Sequence, residues 1–322
     1  MSVLITGVAG FVGSNLAKVM LDRGDTVFGV DNLCRGTRAN MSALIGHPRF
    51  GFSQVDMVEA GAYRGAVEAF QSRGRISEVW HLAANSDIPA GVEDAGVDLR
   101  DTFMTTFNTL ELMKALGIPK LCFASSSAIY GDLGERPLTE DIGPLLPISN
   151  YGAMKLASEA AISAAAESYL EQAFLFRFPN VIGVPATHGV ILDFVRKLAA
   201  TPNRLTVLGD GSQQKEYLHV QELIDAMLFI RERAREKVAV YNIGAGDEGV
   251  SVRFIAEETV RQVSPDAEIA YGTGNKGWVG DVPRFRYCVD KLRGLGFTSS
   301  LGSRDAVCLA VKQIIQQERK TS

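Results

Sequence analysis

The chain has 322 residues, 46% hydrophobic and 22% charged, which excludes a disordered chain or a collagen-like repeat and suits two domains or one large α/β unit. Lys and Arg total 33 against 37 Asp and Glu, a formal charge of −4, so there is no basic footprint for nucleic acid and an anionic ligand must be held by local features. Cys34, Cys122, Cys288 and Cys308 lie far apart without metal-like spacing, so no metal site is expected and the thiols read as reduced.

In chain order, Val3 to Thr6 is a short apolar run ending in glycine, the pattern of a buried strand. A helix is expected over Gly13 to Arg23, where Leu16, Val19, Met20 and Leu21 share a side, and a second strand over Thr26 to Val30, closed by Asp31. Further strands are predicted at Phe50 to Val55, Glu78 to Leu82 and Lys120 to Ser125, with helices at Asp98 to Leu116 and Tyr151 to Tyr169. This βαβα alternation implies a Rossmann-type doubly wound parallel sheet with helices on both faces, and ligands bound beyond the carboxyl ends of its strands. After about residue 180 the pattern loosens. Strands are expected at Leu175 to Phe178 and Val240 to Ile243, and helices at Ile191 to Ala200 and Val220 to Arg233. Glycine- and proline-containing loops intervene at 209–211 and 272–283. The expected organisation is a dinucleotide-binding domain over 1–175, to which part of 215–250 returns, and a smaller, interleaved α/β lobe over 176–322.

Two constellations carry chemistry. Gly7-Val8-Ala9-Gly10-Phe11-Val12-Gly13 follows the first strand and opens the first helix, so its glycines allow a tight turn and close approach of a pyrophosphate to the helix N-terminus. Asp31, 24 residues beyond Gly7, stands where an acid meets the adenosine ribose and repels a 2′-phosphate, which favours NAD over NADP. Arg35 nearby is the residue that could reverse that preference. The second constellation is Ser125 to Gly131 after the fifth strand and Tyr151-Gly152-Ala153-Met154-Lys155 at the start of the next helix. Tyr151 and Lys155 share a helix face, and a nearby ammonium is expected to lower the phenol's pKa towards that of a usable base.

With these motifs the chain resembles the extended short-chain dehydrogenase/reductases, in their NAD-dependent nucleotide-sugar epimerase/dehydratase group and its UDP-glucose 4-epimerase-like branch. The resemblance is carried by GVAGFVG at 7–13, DNLCRG at 31–36, HLAA at 81–84, SSSAIYG at 125–131, YGAMK at 151–155, RFPNVIG at 177–183, GDGSQQKEYLHVQE at 209–222 and GDVP at 280–283. It implies that Tyr151 is the acid/base, that Lys155 binds the nicotinamide ribose and tunes Tyr151, and that Ser126 holds the reacting sugar oxygen. Further cofactor contacts are implied at Gly7, Gly10, Phe11, Val12, Gly13, Asp31, Asn32, Arg35, Gly36, Asp56, Met57, Leu82, Ala83, Ala84 and Phe178. Asn85, Ser126, Ser127, Asn180, Val190, Thr206, Leu208, Lys215 and Asp281 are implied to meet the nucleotide-diphosphate sugar.

Dehydratases of this group carry Asp-Glu where this chain has Ser127 and Ala128, and decarboxylating relatives carry a glutamate at the place of Ala128. Without those acids, redox cycling at one carbon remains, which is epimerisation, most often at C4. The alternatives are a nucleotide-sugar reductase or a C2-epimerase on a deoxysugar, and a non-catalytic dinucleotide-binding regulator. Three places depart from the family pattern: Thr102 for an asparagine, Lys215 for an arginine without its bidentate fork, and Trp278 for another arginine. The pyrophosphate contacts are therefore expected to draw on Lys276, Arg253 or Arg284. His219 reads as structural, and His188, in the 185–190 loop, is open between a plain loop residue and a neighbour of the nucleotide. The helices at 98–116 and 151–169 are apolar on more than one side, which the resemblance assigns to a four-helix-bundle homodimer. No run of about 18 apolar residues spans a membrane. The short apolar start lacks a basic leader, so the expected location is the cytoplasm.

Overall fold

The computed structural model describes residues 1–134, 136–274 and 286–321. Two compact units share them. The first comprises residues 1–131, 144–177 and 227–241, and the second 132–143, 178–226 and 242–322.

The first unit is built on seven strands: β1 (Ser2–Thr6), β2 (Thr26–Asp31), β3 (Phe50–Gln54), β4 (Glu78–His81), β5 (Lys120–Ala124), β6 (Gln172–Arg177) and β7 (Val238–Asn242). Their spatial order is β7-β6-β5-β4-β1-β2-β3. The β1–β2, β1–β4, β2–β3, β4–β5 and β5–β6 pairs all run parallel. Because parallel strands are covered on both faces, β1 is buried at Val3, Leu4 and Ile5 without alternation. The order reverses direction at β1 and β4, and the crevice beyond their carboxyl ends is where a doubly wound sheet takes a ligand.

Among the described residues, the helices of this unit include α1 (Phe11–Asp22), α2 (Ala60–Gln71), α3 (Ile88–Glu93), α4 (Ala95–Asp98), α5 (Thr105–Leu116) and α6 (Asn150–Ser168), and the later part of helix Val220–Arg233 also belongs to it. The core beneath them includes Phe28, Tyr63, Met113, Phe123 and Ile162. Each such side chain contributes roughly 1.5–3 kcal/mol on burial.

The single helix expected over 98–116 is divided. Leu99–Met104 forms a π-helical stretch between α4 and α5. Four threonines explain the break. The Thr105 hydroxyl bonds the carbonyls of Asp101 and Thr102, Thr106 bonds that of Thr102, and Thr109 that of Thr105. Such back-bonding competes with the regular helical ladder and bends it. The fourth, Thr102, turns its hydroxyl away to accept the Asn85 backbone N–H.

The second unit has its own core, from Ile191, Phe194, Leu205, Tyr217, Ile255 and Val311. Its parallel strand pairs include Arg204–Val207 with Glu268–Tyr271, Asn180–Ile182 with Tyr217–His219, and Arg286–Tyr287 with Pro137–Leu138. Helices Val190–Ala200, Val252–Val263 and Ser303–Thr321 pack together there. Among the described residues no helix is long and apolar enough to cross a membrane.

Candidate active site

The glycine loop joins β1 to α1. A Cβ on Gly13 would stand 2.2 Å from the Gly7 carbonyl oxygen, so only glycine lets α1 start so close to the turn. The residue preceding α1, Gly10, offers no side-chain cap, and the first helical turn holds no acid. The opening amides of α1 thus meet no side-chain anion of their own, which fits the diphosphate of a dinucleotide.

At the end of β2, Asp31 accepts the Ala9 N–H at 3.0 Å and the Leu33 N–H at 2.8 Å. Burial, the larger effect, raises its carboxyl pKa, and these two bonds oppose the rise. Asn32 donates to the Asp56 carboxylate at 3.4 Å, bringing the ends of β2 and β3 together. Gly36 lies against the Ala9 backbone. Arg35 is ion-paired with Asp87. The Met57 side chain sits in the core, and its carbonyl accepts from Asn108 at 2.8 Å.

After β4, residues 82–85 are held from beneath. The Thr6 hydroxyl oxygen accepts the N–H groups of Leu82 and Ala83, both at 3.2 Å. The same hydroxyl meets His81 Nδ1 at 2.8 Å, and His81 Nε2 meets the Thr106 hydroxyl at 3.0 Å. The Thr106 hydroxyl donates to the Thr102 carbonyl, so Nε2 carries the imidazole proton and Nδ1 accepts from Thr6. Burial, and secondarily the charge of Lys155, pulls the imidazole pKa down to about 3, so the ring is neutral. Asn85 uses its whole side chain inside the protein. Its amide donates to Asp98 and to the Asp87 carbonyl, and its oxygen accepts the Asp87 N–H.

Ser126 caps the short 3₁₀ turn Ser127–Tyr130 after β5 by accepting the Ala128 N–H at 3.1 Å. Ser149 caps α6 by accepting the Gly152 N–H at 3.1 Å. A Cβ on Gly152 would stand 2.5 Å from the Ala128 carbonyl oxygen. Glycine there seats the first turn of α6 on the 3₁₀ turn, which brings Tyr151 to Ser126. Lys155 is 2% exposed, donates to the Ala124 carbonyl at 2.6 Å, and lies 5.7 Å from the centre of the Tyr151 ring.

Burial pushes the Tyr151 phenol up to about 12, with Ser126 lowering it and Asp98 adding to the rise. Burial draws the Lys155 ammonium down to about 7 against Glu159 and Asp98. In the protein alone, desolvation therefore outweighs the expected lowering of the phenol by the lysine.

A buried group beside this pair had no role in the sequence reading. Glu159, one turn past Lys155, accepts Arg177 on both oxygens and the Ser125 hydroxyl at 2.5 Å. Arg177 also donates to the Tyr130 hydroxyl at 3.0 Å. The signal was present, since an acid four residues after Lys155 stays on its helix face.

The second unit carries the remaining sequence candidates. Asn180 is exposed and donates to the Glu216 carbonyl at 3.4 Å. Phe178 is half-buried, and Val190 opens its helix. The Thr206 carbonyl accepts from Lys197 at 3.3 Å, and Leu208 is 66% exposed. Lys215 lies in the short strand Gln214–Lys215, paired with Val250. Arg253 donates to the Asp210 carbonyl and stacks 3.9 Å over the Tyr271 ring. His219 is buried against Gln313 at 3.0 Å, and His188 is exposed beside Thr187. Lys276, Trp278, Asp281 and Arg284 lie outside the described residues.

Residues 3–244 match the model of the NAD dependent epimerase/dehydratase family. Among curated proteins, the chain is 29% identical to a UDP-glucose 4-epimerase of Corynebacterium glutamicum, over 94% of this chain and 98% of that one. It is 31% identical to a dTDP-glucose 4,6-dehydratase of Streptomyces griseus, over 76% and 73%. A solved UDP-galactose 4-epimerase superposes with a TM-score of 0.85 at 30% identity, covering 98% of this chain and 99% of that one. A Thermus thermophilus UDP-glucose 4-epimerase solved with NAD gives 0.85 at 27%, with the same coverage.

Proposed function

Because this chain belongs to the NAD dependent epimerase/dehydratase family, we propose that it epimerises a nucleotide-diphosphate sugar, with NAD as its redox carrier and UDP-glucose/UDP-galactose the substrate type. One observation carries the reading. Ser126, Tyr151 and Lys155 converge beyond the carboxyl end of β5, while the two residues after Ser126, Ser127 and Ala128, hold no acid or base. The relative named as a dehydratase does not shift the reading, because removing water from the sugar needs acid/base groups that this pair of residues lacks.

NAD, when bound, would supply the reversible hydride chemistry, and epimerisation requires that the hydride go back to the opposite face of the keto-sugar. The chain's own residues place and protonate the oxygen. The Ser126 hydroxyl orients it, Tyr151 as phenolate removes its proton and gives it back, and the Lys155 ammonium stabilises that phenolate. Asp31 holds the adenosine ribose of the cofactor and the opening amides of α1 its diphosphate, with Arg35 paired to Asp87. We assign the nucleotide of the substrate to Asn180, Val190, Thr206, Leu208, Lys215 and Asp281.

We further propose a homodimer through α5 and α6. Leu99 at 49% and Phe107 at 44% exposure leave large apolar side chains in water beside α6. The four free thiols suit a reducing compartment, and we place the protein in the cytoplasm.

The deciding experiment incubates the protein with UDP-, dTDP-, GDP- and CDP-hexoses and reads the sugar stereochemistry by NMR. Interconversion of gluco and galacto forms without net reduction of NAD is expected. A 4-keto-6-deoxy product, or net oxidation of NADPH, overturns the assignment.

A further inference from the structure

The groups in contact with the Lys155 ammonium are neutral: the Ala124 carbonyl, the Phe123 ring at 4.7 Å and the Tyr151 ring. A buried cation without an opposite charge gives up its proton. Lys155 reaches β5 through the Ala124 carbonyl, and its helix packs against α3, α4, α5, β6, the 3₁₀ turn Ser127–Tyr130 and the Leu99–Met104 stretch, so the charged groups on and around these elements decide its state; Glu93 of α3 and Glu111 of α5 are exposed to water.

Most of them are already neutralised. Glu159, on α6 itself, is held on both oxygens by Arg177 of β6. His81 of β4 is uncharged. Asp101 is chelated by Arg100 at 2.7 and 2.8 Å, and Asp87 is paired with Arg35. Asp98, the last residue of α4, differs. It is 0% exposed, its Oδ1 accepts only the Asn85 amide at 2.9 Å, and its Oδ2 has no hydrogen-bond partner. Oδ2 lies so close to Gly91 that a Cβ there would overlap it at 1.8 Å. Among the described residues of this group, Asp98 is the buried carboxylate with no cation in contact, and Lys155 the buried cation with no anion in contact.

We infer that Asp98 is a counter-charge of Lys155 acting without direct contact, a positioning residue that helps keep the lysine an ammonium. In a water-poor interior an ion pair need not touch to matter, because little screens it. The two groups favour each other's charged forms, and Glu159, although gripped by Arg177, supports the ammonium more strongly than Asp98 does. The same carboxylate opposes ionisation of Tyr151, so it acts on both members of the pair. The inference rests on reading Tyr151 and Lys155 as the reacting pair, but its test does not depend on turnover.

The test is an NMR titration of the Lys155 ε-methylene in protein as purified, labelled at lysine Cε, with cofactor content matched between variants. Lys155→Met identifies the resonance. In Asp98→Asn the midpoint is expected to fall by about one pH unit or more, roughly tenfold in proton affinity. If Asp98→Asn does not fold, the reciprocal measurement replaces it: the Asp98 carboxyl titration must move to higher pH in Lys155→Met. An unmoved midpoint in whichever titration is performed overturns the inference. Whether Tyr151 and Lys155 do the chemistry at all is read separately, from the activity of Tyr151→Phe.

Discussion

Arg177 grips Glu159 by two parallel hydrogen bonds, Nε to Oε1 at 3.0 Å and Nη2 to Oε2 at 2.7 Å. Both side chains are nearly inaccessible, and together they tie β6 to the helix that carries Tyr151 and Lys155. Removing one partner leaves an uncompensated buried charge, at a cost of about 3–5 kcal/mol. Arg177→Met is therefore expected to lower the urea midpoint sharply. Replacing both with apolar residues of similar volume is expected to cost less than the single change. A double variant no more stable than Arg177→Met would contradict this account of the pair.

Tyr151→Phe keeps the ring and its packing but removes the hydroxyl. It is expected to leave NAD bound and to lower turnover by about 10²-fold or more, the scale of a lost general base. Steady-state rates with the preferred nucleotide sugar check this, and near-wild-type activity excludes Tyr151 as the base.

Gly13→Ala places a methyl 2.2 Å from the Gly7 carbonyl oxygen, a rigid backbone atom. The loop must shift, at an expected cost of about 1–3 kcal/mol. Because the shifted amides are those offered to the diphosphate, NAD affinity should fall together with the melting temperature. Isothermal titration with NAD alongside a thermal melt separates this from a purely structural effect, in which only the melt would change.

His81 gives a pH signature. Its imidazole is held near 3 by burial against an ordinary value of 6.5, so the unfolded chain binds a proton that the folded one refuses. Stability should be unaffected above about pH 6.5 and lost as the pH falls from there towards 3. The contribution is on the order of 5 kcal/mol, from about 1.4 kcal/mol per unit. His81→Gln is expected to flatten the dependence of the urea midpoint on pH in that window. An unchanged slope would mean that other groups carry the acid sensitivity.

Phe107→Glu places a charge on the apolar face proposed as the subunit contact. Light scattering is expected to show a dimer for the parent chain and a monomer for the variant. A monomeric parent ends the four-helix proposal.

Much of this was legible along the chain. The glycine spacing after β1, the acid after β2 and the Tyr151–Lys155 pair are local patterns, set by the periods of strand and helix and by turn chemistry. The strands at Thr26–Asp31 and Lys120–Ala124 stand within a residue of where the pattern put them. The π-helical break at Leu99–Met104 was not visible, because apolar periodicity continues through it while threonine hydroxyls redirect the backbone.

By itself the sequence determined the sheet class, the place of the glycine loop and the residue types able to move a proton, since each depends on neighbours a few positions away. Only the tertiary structure decided what surrounds them. Ser125 and Glu159 are 34 residues apart, and Glu159 and Arg177 are 18 apart, yet they share one buried network. Asp98 and Lys155 lie on separate helices that meet only through packing. Whether a buried carboxylate or lysine keeps its charge depends on how much water is removed and which opposite charge remains, and both are properties of the packed interior rather than of the local chain.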